Sequence, residues 1–233
     1  EVENIPYAYE ISDYDYIAGL KSFQDGMYQI QDISSMLAGE YTAPKAGDTI
    51  VDVCGAPGGK SINAALKMSE QGDCGRVIAR DLSDYKVALI DENIKRLNIT
   101  NIQTQVYDAL DCDESLINKA DIVIADLPCS GLGIIGRKPD IKYNASPEKL
   151  QSLVDLQRDI LKVVSRYVKS GGVLMYSTCT INRAENEDNA DWICKESGFT
   201  KDGEYHQLLP ANNSGMDGFF VARLIRSEEH TSE

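Results

Sequence analysis

The sequence contains few histidines and no closely paired cysteines, and it has no long apolar run. Two histidines occur in 233 residues, and the six cysteines, at positions 54, 74, 112, 129, 179 and 194, form no Cys-x-x-Cys pair. Neither a metal site nor a disulfide framework is therefore predicted. No stretch approaches the roughly 20 apolar residues of a membrane span, and no secretory signal is recognisable at the start. We expect free thiols, no membrane association and a cytoplasmic protein.

The sequence is also poor in positive charge. It has 23 Lys and Arg against 37 Asp and Glu, a formal net charge of -14. Because Lys and Arg supply most non-specific affinity for nucleic acids, a general nucleic-acid binder is not predicted. An RNA substrate would need a local basic patch or a further domain. The length and the 42% hydrophobic content suit one principal domain, which we expect to be a monomer.

From residue 49 onward, apolar runs of strand length alternate with helical patterns. Such alternation is typical of βαβ units and a parallel sheet. Seven strands are predicted, at 49–54, 76–81, 101–107, 121–126, 172–178, 199–207 and 218–225. Helices are predicted at 60–69, 85–97, 147–168 and 184–196, the third beginning with Ser146 as N-cap and Pro147 at N1. The fold class is therefore α/β, with an antiparallel pair at the end of the sheet.

A glycine-rich segment follows the first predicted strand. In Val51-Asp52-Val53-Cys54-Gly55-Ala56-Pro57-Gly58-Gly59-Lys60-Ser61, the glycines allow the backbone to turn sharply and to approach a ligand at the start of the next helix. A phosphate loop would require glycine at position 54, where this chain has Cys54. The pattern favours a nucleotide or nucleoside ligand, and an ATP phosphate site or a purely structural turn stays open.

Acidic residues follow the next three strands. Asp81 and Asp126 close their strands and Asp108 follows the strand between them, so all three face one crevice in a parallel sheet. Carboxylates suit ribose hydroxyls, an adenine amino group and a sulfonium cation better than a triphosphate. This set therefore favours S-adenosylmethionine, although each aspartate alone could simply end a strand.

Two further segments each place a cysteine just after a predicted strand. They are Asp126-Leu127-Pro128-Cys129-Ser130-Gly131 and Tyr176-Ser177-Thr178-Cys179-Thr180. With the glycine-rich segment, they resemble the motif set of the RNA cytosine-C5 methyltransferases, the family that includes the bacterial 16S ribosomal RNA enzymes and the Nop2/Sun proteins. The resemblance extends over residues 25–226. It implies a Rossmann-like, class I S-adenosylmethionine-dependent fold with a seven-stranded, mostly parallel sheet and helices on both faces.

The resemblance also implies roles for individual residues. Cys179 would be the nucleophile, Cys129 would assist release of the product, and Asp126 would support the base at N3. Asp81 would bind the ribose hydroxyls and Asp108 the adenine side, while the glycine-rich loop would wrap the rest of the cofactor. The implied cofactor-binding set is Cys54, Gly55, Ala56, Pro57, Gly58, Gly59, Lys60, Asp81, Asp108 and Asp126.

This chemistry accounts for the use of cysteine. Cytosine C5 is too weak a nucleophile to attack a methyl group unaided, so a thiolate first adds to C6. DNA cytosine methyltransferases also have a Pro-Cys pair, but there that cysteine is the nucleophile and no Thr-Cys-Thr segment follows. The alternatives are a buried, inert role for each thiol, which we expect for Cys74, Cys112 and Cys194, and a methyltransferase-like RNA-binding scaffold without catalysis.

The rest of the chain is assigned by position. Residues 1–40 are expected to be a lead-in, the remnant of an N-terminal RNA-binding subdomain, residues 41–226 the catalytic domain, and residues 227–233 a disordered tail or cloning remnant. The cations Arg137, Lys138 and Lys142 are candidates for a phosphate grip. Glu185-Asn186-Glu187 matches the family pattern and is expected to position a helix. Gly55, Leu127 and Arg80 depart from the usual family residues, and Arg80 is expected to perturb Asp81.

Overall fold

The computed structural model describes residues 5–72, 75–210 and 216–228. The predictions for Cys74 and for the tail beyond residue 228 lie outside these ranges. The strands are β1 (Thr49–Asp52), β2 (Arg76–Asp81), β3 (Ile102–Val106), β4 (Ala120–Asp126), β5 (Val168–Thr178), β6 (Phe199–Lys201), β7 (His206–Leu208) and β8 (Phe219–Arg226). The helices are α1 (Lys21–Gln24), α2 (Ile33–Thr42), α3 (Gly59–Glu70), α4 (Asp84–Arg96), α5 (Ile141–Asn144), α6 (Pro147–Val164) and α7 (Glu187–Ser197).

The strands form one sheet in the order β3-β2-β1-β4-β5-β8-β6, with β7 also paired to β8. The first five strands in this order are parallel, and β8 runs antiparallel to β5 and to both of its other neighbours. The predicted α/β, Rossmann-like class is confirmed. The strand order reverses between β1 and β4, where ligands bind at the carboxyl ends of the strands in open sheets of this kind.

The sixth predicted strand, 199–207, is two short strands. Lys201 pairs with Leu224 and His206 with Val221, so four residues bulge opposite two residues of β8. Gly203 adopts a φ of 79° within this bulge, a conformation that glycine adopts without a steric cost. Since β6 and β7 occupy the same edge of β8, the sheet has eight strands in the seven predicted positions.

Both faces of the sheet are covered by helices, as predicted. In β4, Ile122 and Ile124 face one core cluster and Val123 and Ala125 face the other, because successive side chains of a strand point to opposite faces. α6 and α7 pack on the side of Val123, whereas α2 and α3 pack on the other side. The helical core residues are Ala38, Ala64, Ala65 and Met68 on one face and Ile160, Leu161, Val164, Ala190 and Ile193 on the other.

The long helix α6 begins where its sequence signals predicted. The Ser146 side chain accepts a hydrogen bond from the Lys149 backbone N–H, and Pro147 occupies the first turn. The helix ends at Val164, earlier than the predicted residue 168, because a 3-10 turn leads directly into β5. No helix of the described residues is long and apolar enough to span a bilayer.

The predicted boundary at residue 40 falls inside α2. Ala38 is fully buried in the core, so α2 packs as part of the α/β domain. The preceding segment is also fixed to the domain: Tyr7 accepts a hydrogen bond from Asn63 at 3.1 Å, and Arg96 donates to the carbonyl oxygen of Tyr28 at 2.9 Å. The segment before α2 is therefore attached to the α/β domain at both Tyr7 and Tyr28.

Candidate active site

The glycine-rich loop connects β1 to the N-terminus of α3. The N–H of Gly55 donates to the carbonyl oxygen of Arg80 at 2.8 Å, which ties the loop to β2. Gly58 has a φ of 106°, and a Cβ there would lie 3.2 Å from both Ile62 Cδ1 and Ile90 Cγ2. The backbone conformation and the close packing both require glycine at this position. The loop is thereby fixed over the end of the sheet.

Asp52, at the end of β1, is a residue of this site that the sequence reasoning did not assign. Its carboxylate is fully buried; Oδ2 accepts from Ser61 Oγ at 2.7 Å, and Oδ1 has no partner among the described residues. Burial raises the pKa of Asp52 to about 6. A Cβ on Gly55 would lie 3.2 Å from this carboxylate, so the glycine found in place of the usual alanine gives Asp52 space. The sequence feature that could have identified Asp52 is an acidic residue at the end of an otherwise apolar strand.

A cavity of about 260 Å³ lies between this loop and the segment before α2. Three carboxylates, Asp32, Asp52 and Asp126, line it. Lys60 also lines it, and its Nζ is 2.6 Å from Asp126 Oδ2. The cation is therefore paired, and no free positive charge remains for a triphosphate. A buried carboxylate oxygen without a partner suits a cationic, amino-acid-like ligand. The lining residues are Gln29, Ile30, Gln31, Asp32, Ser35, Asp52, Cys54, Gly55, Ala56, Pro57, Gly59, Lys60 and Asp126.

The other two predicted carboxylates do not line this cavity. Asp81 is buried, and its oxygens accept from the N–H groups of Ala56 at 3.0 Å and Leu82 at 2.8 Å, with Lys86 Nζ at 3.0 Å. Asp81 therefore holds the glycine-rich loop in place through Ala56, which lines the cavity. Asp108 is half-buried and accepts from the Leu110 N–H at 2.9 Å. The structure thus places Asp126 and most of the loop at the cavity, Asp81 against its lining and Asp108 outside its lining.

Arg80 does not contact Asp81, contrary to the expectation from the sequence, because adjacent residues of β2 face opposite sides of the sheet. Its Nε donates to Gln105 at 2.8 Å, the guanidinium pairs with Asp113, and it lies 4.2 Å from the centre of the Tyr107 ring. Arg80 therefore braces the segment that follows β3.

The two predicted catalytic thiols meet at the ends of neighbouring strands. β4 and β5 are parallel and pair Asp126 with Ser177, so the segments that follow them leave the sheet side by side. Cys129 Sγ lies 3.1 Å from Cys179 Sγ, and both side chains are half-buried. Two cysteines that are 50 residues apart in sequence are thus brought into direct contact.

The environment distinguishes the thiols chemically. The contact fits a hydrogen bond that either sulfur can donate. With Cys129 as the donor, this bond lowers the pKa of Cys179, with a further contribution from the Lys60 ammonium, against the opposing effects of burial and Asp126. The same hydrogen bond, together with burial, raises the pKa of Cys129. Burial also raises the pKa of Cys54 in the loop. Because the thiolate is the nucleophilic form, Cys179 is the thiol best prepared to attack.

Comparison with known proteins identifies the family. The sequence model described as 16S rRNA methyltransferase RsmB/F matches residues 40–225. The chain belongs to this family. The probable ribosomal RNA small subunit methyltransferase B of Bacillus subtilis (strain 168) is 38% identical over 227 residues, covering 89% of this chain and 50% of that protein. Ribosomal RNA small subunit methyltransferase F of Escherichia coli O157:H7 is 32% identical, covering 87% and 46% respectively.

Solved structures agree with this assignment. NSun6 from Pyrococcus horikoshii, crystallised with SFG, superposes with a TM-score of 0.80 at 27% identity, covering 91% of this chain and 56% of that one. P. horikoshii TYW2 in complex with MeSAdo superposes with a TM-score of 0.55 at 15% identity, covering 87% and 65% respectively, and shows the fold alone. S-adenosylmethionine is the methyl donor of the family. The chain spans about half the length of the curated relatives it matches.

In this RsmB/F chain, Asp126 contacts both the cavity and the strand that leads to Cys179. Its Oδ2 accepts from Lys60 Nζ at 2.6 Å and its Oδ1 accepts from Ser177 Oγ at 2.8 Å. Lys60 also lies 3.2 Å from Ser35 Oγ. Both oxygens of Asp126 act as acceptors, which is the arrangement of an ionised carboxylate. Asp126 therefore lies between the cavity at β1 and the thiols at the ends of β4 and β5.

The loop after Cys129 is held against the second thiol segment. The Gly133 N–H donates to the Cys179 carbonyl oxygen at 3.1 Å, and Gly218 N–H donates to the Gly133 oxygen at 2.8 Å. Arg137, a predicted phosphate contact, pairs with Asp32 and, at 3.1 Å, with Asp217. This corrects the prediction for Arg137, because two carboxylates of the same domain engage its guanidinium. Lys138 is exposed at this end of the site.

Proposed function

We propose that this chain transfers a methyl group from S-adenosylmethionine to C5 of a cytosine in RNA, with 16S ribosomal RNA as the substrate. The observation that carries the proposal is the contact between Cys129 and Cys179 at 3.1 Å, in which the pKa of Cys179 is lowered and that of Cys129 is raised. One thiol is prepared to attack and its neighbour to hold a proton. Membership of the RsmB/F family supports the RNA substrate.

The proposed reaction begins at Cys179. Its thiolate forms a bond to C6 of the target cytosine, and the electrons of the C5–C6 double bond become available at C5. The bound cofactor supplies a methyl group on a sulfonium, which C5 accepts. A base then takes up the C5 proton, the electrons of the broken C5–H bond re-form the C5–C6 double bond, and the electrons of the bond from Cys179 to C6 return to the departing sulfur. Cys129, in contact with the departing sulfur, assists this last step.

Asp126 is proposed to support the base at N3. The negative charge that develops on the ring needs a proton or a hydrogen bond there. Because Asp126 accepts at both oxygens, from Lys60 and Ser177, it must first take up a proton before it can donate to N3. Turnover by Asp126→Ala close to that of the wild type would rule out this role.

The cofactor-binding role of the loop rests on its chemistry. The cavity beside Cys54 to Lys60 contains the unpartnered oxygen of Asp52 and the carboxylate of Asp126, which suit the amino group and the sulfonium of the cofactor. Asp81 and Asp108 are proposed to meet the ribose and the adenine. An ATP site is disfavoured because Lys60 is paired, and stronger thermal stabilisation by ATP than by S-adenosylmethionine would contradict this assignment.

The decisive experiment traps the covalent intermediate. Cys129→Ser is incubated with S-adenosylmethionine and unmodified 16S ribosomal RNA, and a denaturing gel is examined for a slowly migrating protein–RNA adduct. We expect the adduct to accumulate because release is impaired, and to disappear in the Cys129→Ser, Cys179→Ser double variant. Cys112→Ser, which alters a thiol outside the site, serves as the control. Wild-type protein that binds the cofactor and this RNA but methylates no cytosine would instead support a scaffold role.

A further inference from the structure

A fully buried carboxylate, Glu185, lies beneath the two thiol segments. Its Oε2 accepts from the Ser130 N–H at 2.8 Å and from Gln157 Nε2 at 3.1 Å. Its Oε1 accepts from Ser130 Oγ at 2.6 Å and from Asn182 Nδ2 at 2.9 Å. The side chain is 0% exposed, and no Lys or Arg of the described residues forms an ion pair with it. Four hydrogen bonds therefore replace the hydration of the carboxylate.

These hydrogen bonds hold both sides of the peptide around Cys129. Ser130 directly follows this cysteine, and Gln157 Nε2, which donates to Glu185, also donates to the carbonyl oxygen of Pro128 at 2.9 Å. Pro128 directly precedes the cysteine. The backbone on each side of Cys129 is therefore anchored through Glu185 and Gln157, while its thiol projects toward Cys179.

The same carboxylate contacts the segment of the nucleophile. Asn182 lies three residues after Cys179, and Ser130 Oγ is 2.8 Å from Thr180 Oγ1. Glu185 thus joins the segment after β4 to the segment after β5, and these are the two segments that carry the thiols. A contact between sulfur atoms at 3.1 Å depends on the relative position of these segments, because hydrogen-bond strength falls steeply with displacement.

Burial of a carboxylate without a cation is costly, and well-packed apolar residues are often as stable or more so. Stability alone therefore gives little reason for an acid at this position. All four groups that surround Glu185 are able to donate, and a carboxylate is the side chain that accepts four hydrogen bonds without donating any. The arrangement fits a residue whose role is to fix the positions of the groups that donate to it.

We propose that Glu185 is a positioning residue that holds Cys129 against Cys179 and thereby sets the rate at which the methylated base is released. The release step rests on the function proposed above; the positioning of the thiols does not. A displacement of about 1 Å can reduce the rate of a catalysed step about a hundredfold. We therefore expect loss of Glu185 to slow release by about this factor while cofactor binding is retained.

The first test requires no RNA. The rate of Cys179 alkylation by iodoacetamide is followed against pH by peptide mass spectrometry in the wild type, Glu185→Ala and Cys129→Ala. Loss of the hydrogen bond from Cys129 should shift the profile of Glu185→Ala to higher pH, toward that of Cys129→Ala. A purely electrostatic role predicts the opposite, because removal of a negative charge lowers the pKa of a nearby thiol. An unchanged profile or a shift to lower pH would overturn the proposal.

Glu185→Gln separates position from charge. Its carbonyl oxygen can keep the bonds from the Ser130 N–H and Gln157, and its amide can donate to Ser130 Oγ, because a hydroxyl can also accept. Only the bond from Asn182 Nδ2 is lost. We expect its profile to lie close to that of the wild type, and a shift as large as that of Glu185→Ala would contradict a positioning role. Glu196→Ala, which alters an exposed glutamate of the following helix α7, is the control. If Glu185→Ala does not fold by circular dichroism, Ser130→Ala should show a smaller shift in the same direction.

The second test measures release itself. Glu185→Ala, incubated with S-adenosylmethionine and unmodified 16S ribosomal RNA, should accumulate the adduct that Cys129→Ser accumulates, whereas Glu185→Gln should not. If Cys129→Ser traps an adduct and Glu185→Ala releases product at the wild-type rate, the inference about Glu185 is wrong. If the wild type does not methylate the RNA and Cys129→Ser traps no adduct, the proposed function fails. The alkylation profiles then still decide whether Glu185 positions the thiols.

Discussion

Asp52 should make the stability of the protein depend on pH in a direction opposite to that of most carboxylates. The group is fully buried, and burial raises its pKa from 3.8 to about 6. For an acid with a raised pKa in the folded state, the protonated form is favoured by folding. The stabilisation is complete below the pKa of the unfolded chain and is lost as the pH rises through about 6.

The size of the effect follows from the same values. A pKa that rises from 3.8 to about 6 corresponds, at about 1.4 kcal/mol per pKa unit, to about 3 kcal/mol over the full range. Roughly half of this falls between about pH 5 and pH 7.5. Relative to Asp52→Asn, which does not titrate, the wild type should therefore become less stable by about 1.4 kcal/mol over that interval.

The assay is urea unfolding of the wild type and Asp52→Asn at a series of pH values, without added cofactor. The amide of the variant packs differently, which adds a constant offset to its free energy of unfolding. The informative quantity is therefore how the difference in free energy between the two proteins changes with pH. A difference constant within about 0.5 kcal/mol, close to the uncertainty of the extrapolation, would refute the reasoning. Asp188→Asn, which alters a half-exposed carboxylate of a surface pair, should show no such trend.

Two further pairs of variants test the loop after Cys129. Gly133→Ala should lower the free energy of unfolding by more than about 2 kcal/mol, because its Cβ would lie 2.1 Å from the Gly218 oxygen. The control is Gly136→Ala, whose Cβ meets nothing within 4 Å, and it should change the free energy of unfolding by less than about 0.5 kcal/mol. Arg137→Glu should lower the unfolding temperature, because it brings a negative charge beside two carboxylates. Lys138→Glu should instead weaken RNA binding and flatten its salt dependence, without destabilising the protein. Equal unfolding temperatures for Arg137→Glu and Lys138→Glu would contradict this division.

The parts of the site that could be predicted from sequence are those built from local signals. Gly58 and Pro57 reveal a sharp loop after β1, and Cys129 and Cys179 each follow an apolar strand. Parallel pairing then brings the ends of β4 and β5 together without further information. The contact between the thiols follows from this topology, although its distance of 3.1 Å does not.

The parts that could not be predicted depend on packing between distant segments. Asp52 resembles an ordinary end of a strand, and its burial arises only when Ser61 of α3 covers it. Glu185 contacts Ser130 across 55 residues of sequence, a distance that no local pattern encodes. The helix predicted to begin at residue 184 begins at Glu187, because the turn before it directs Glu185 inward.

The position of β8 has a consequence for the order in which the site is completed during synthesis. This strand is among the last described residues to be made, yet it pairs along β5 from Val173 to Thr178, and Gly218 just before it is hydrogen-bonded to the loop that contacts Cys179. A nascent chain that has not yet released β8 from the ribosome lacks this support and exposes an unpaired edge of β5, which is a template for aggregation. The support that β8 and Gly218 give to the segment of Cys179 is therefore available only after β8 has left the exit tunnel.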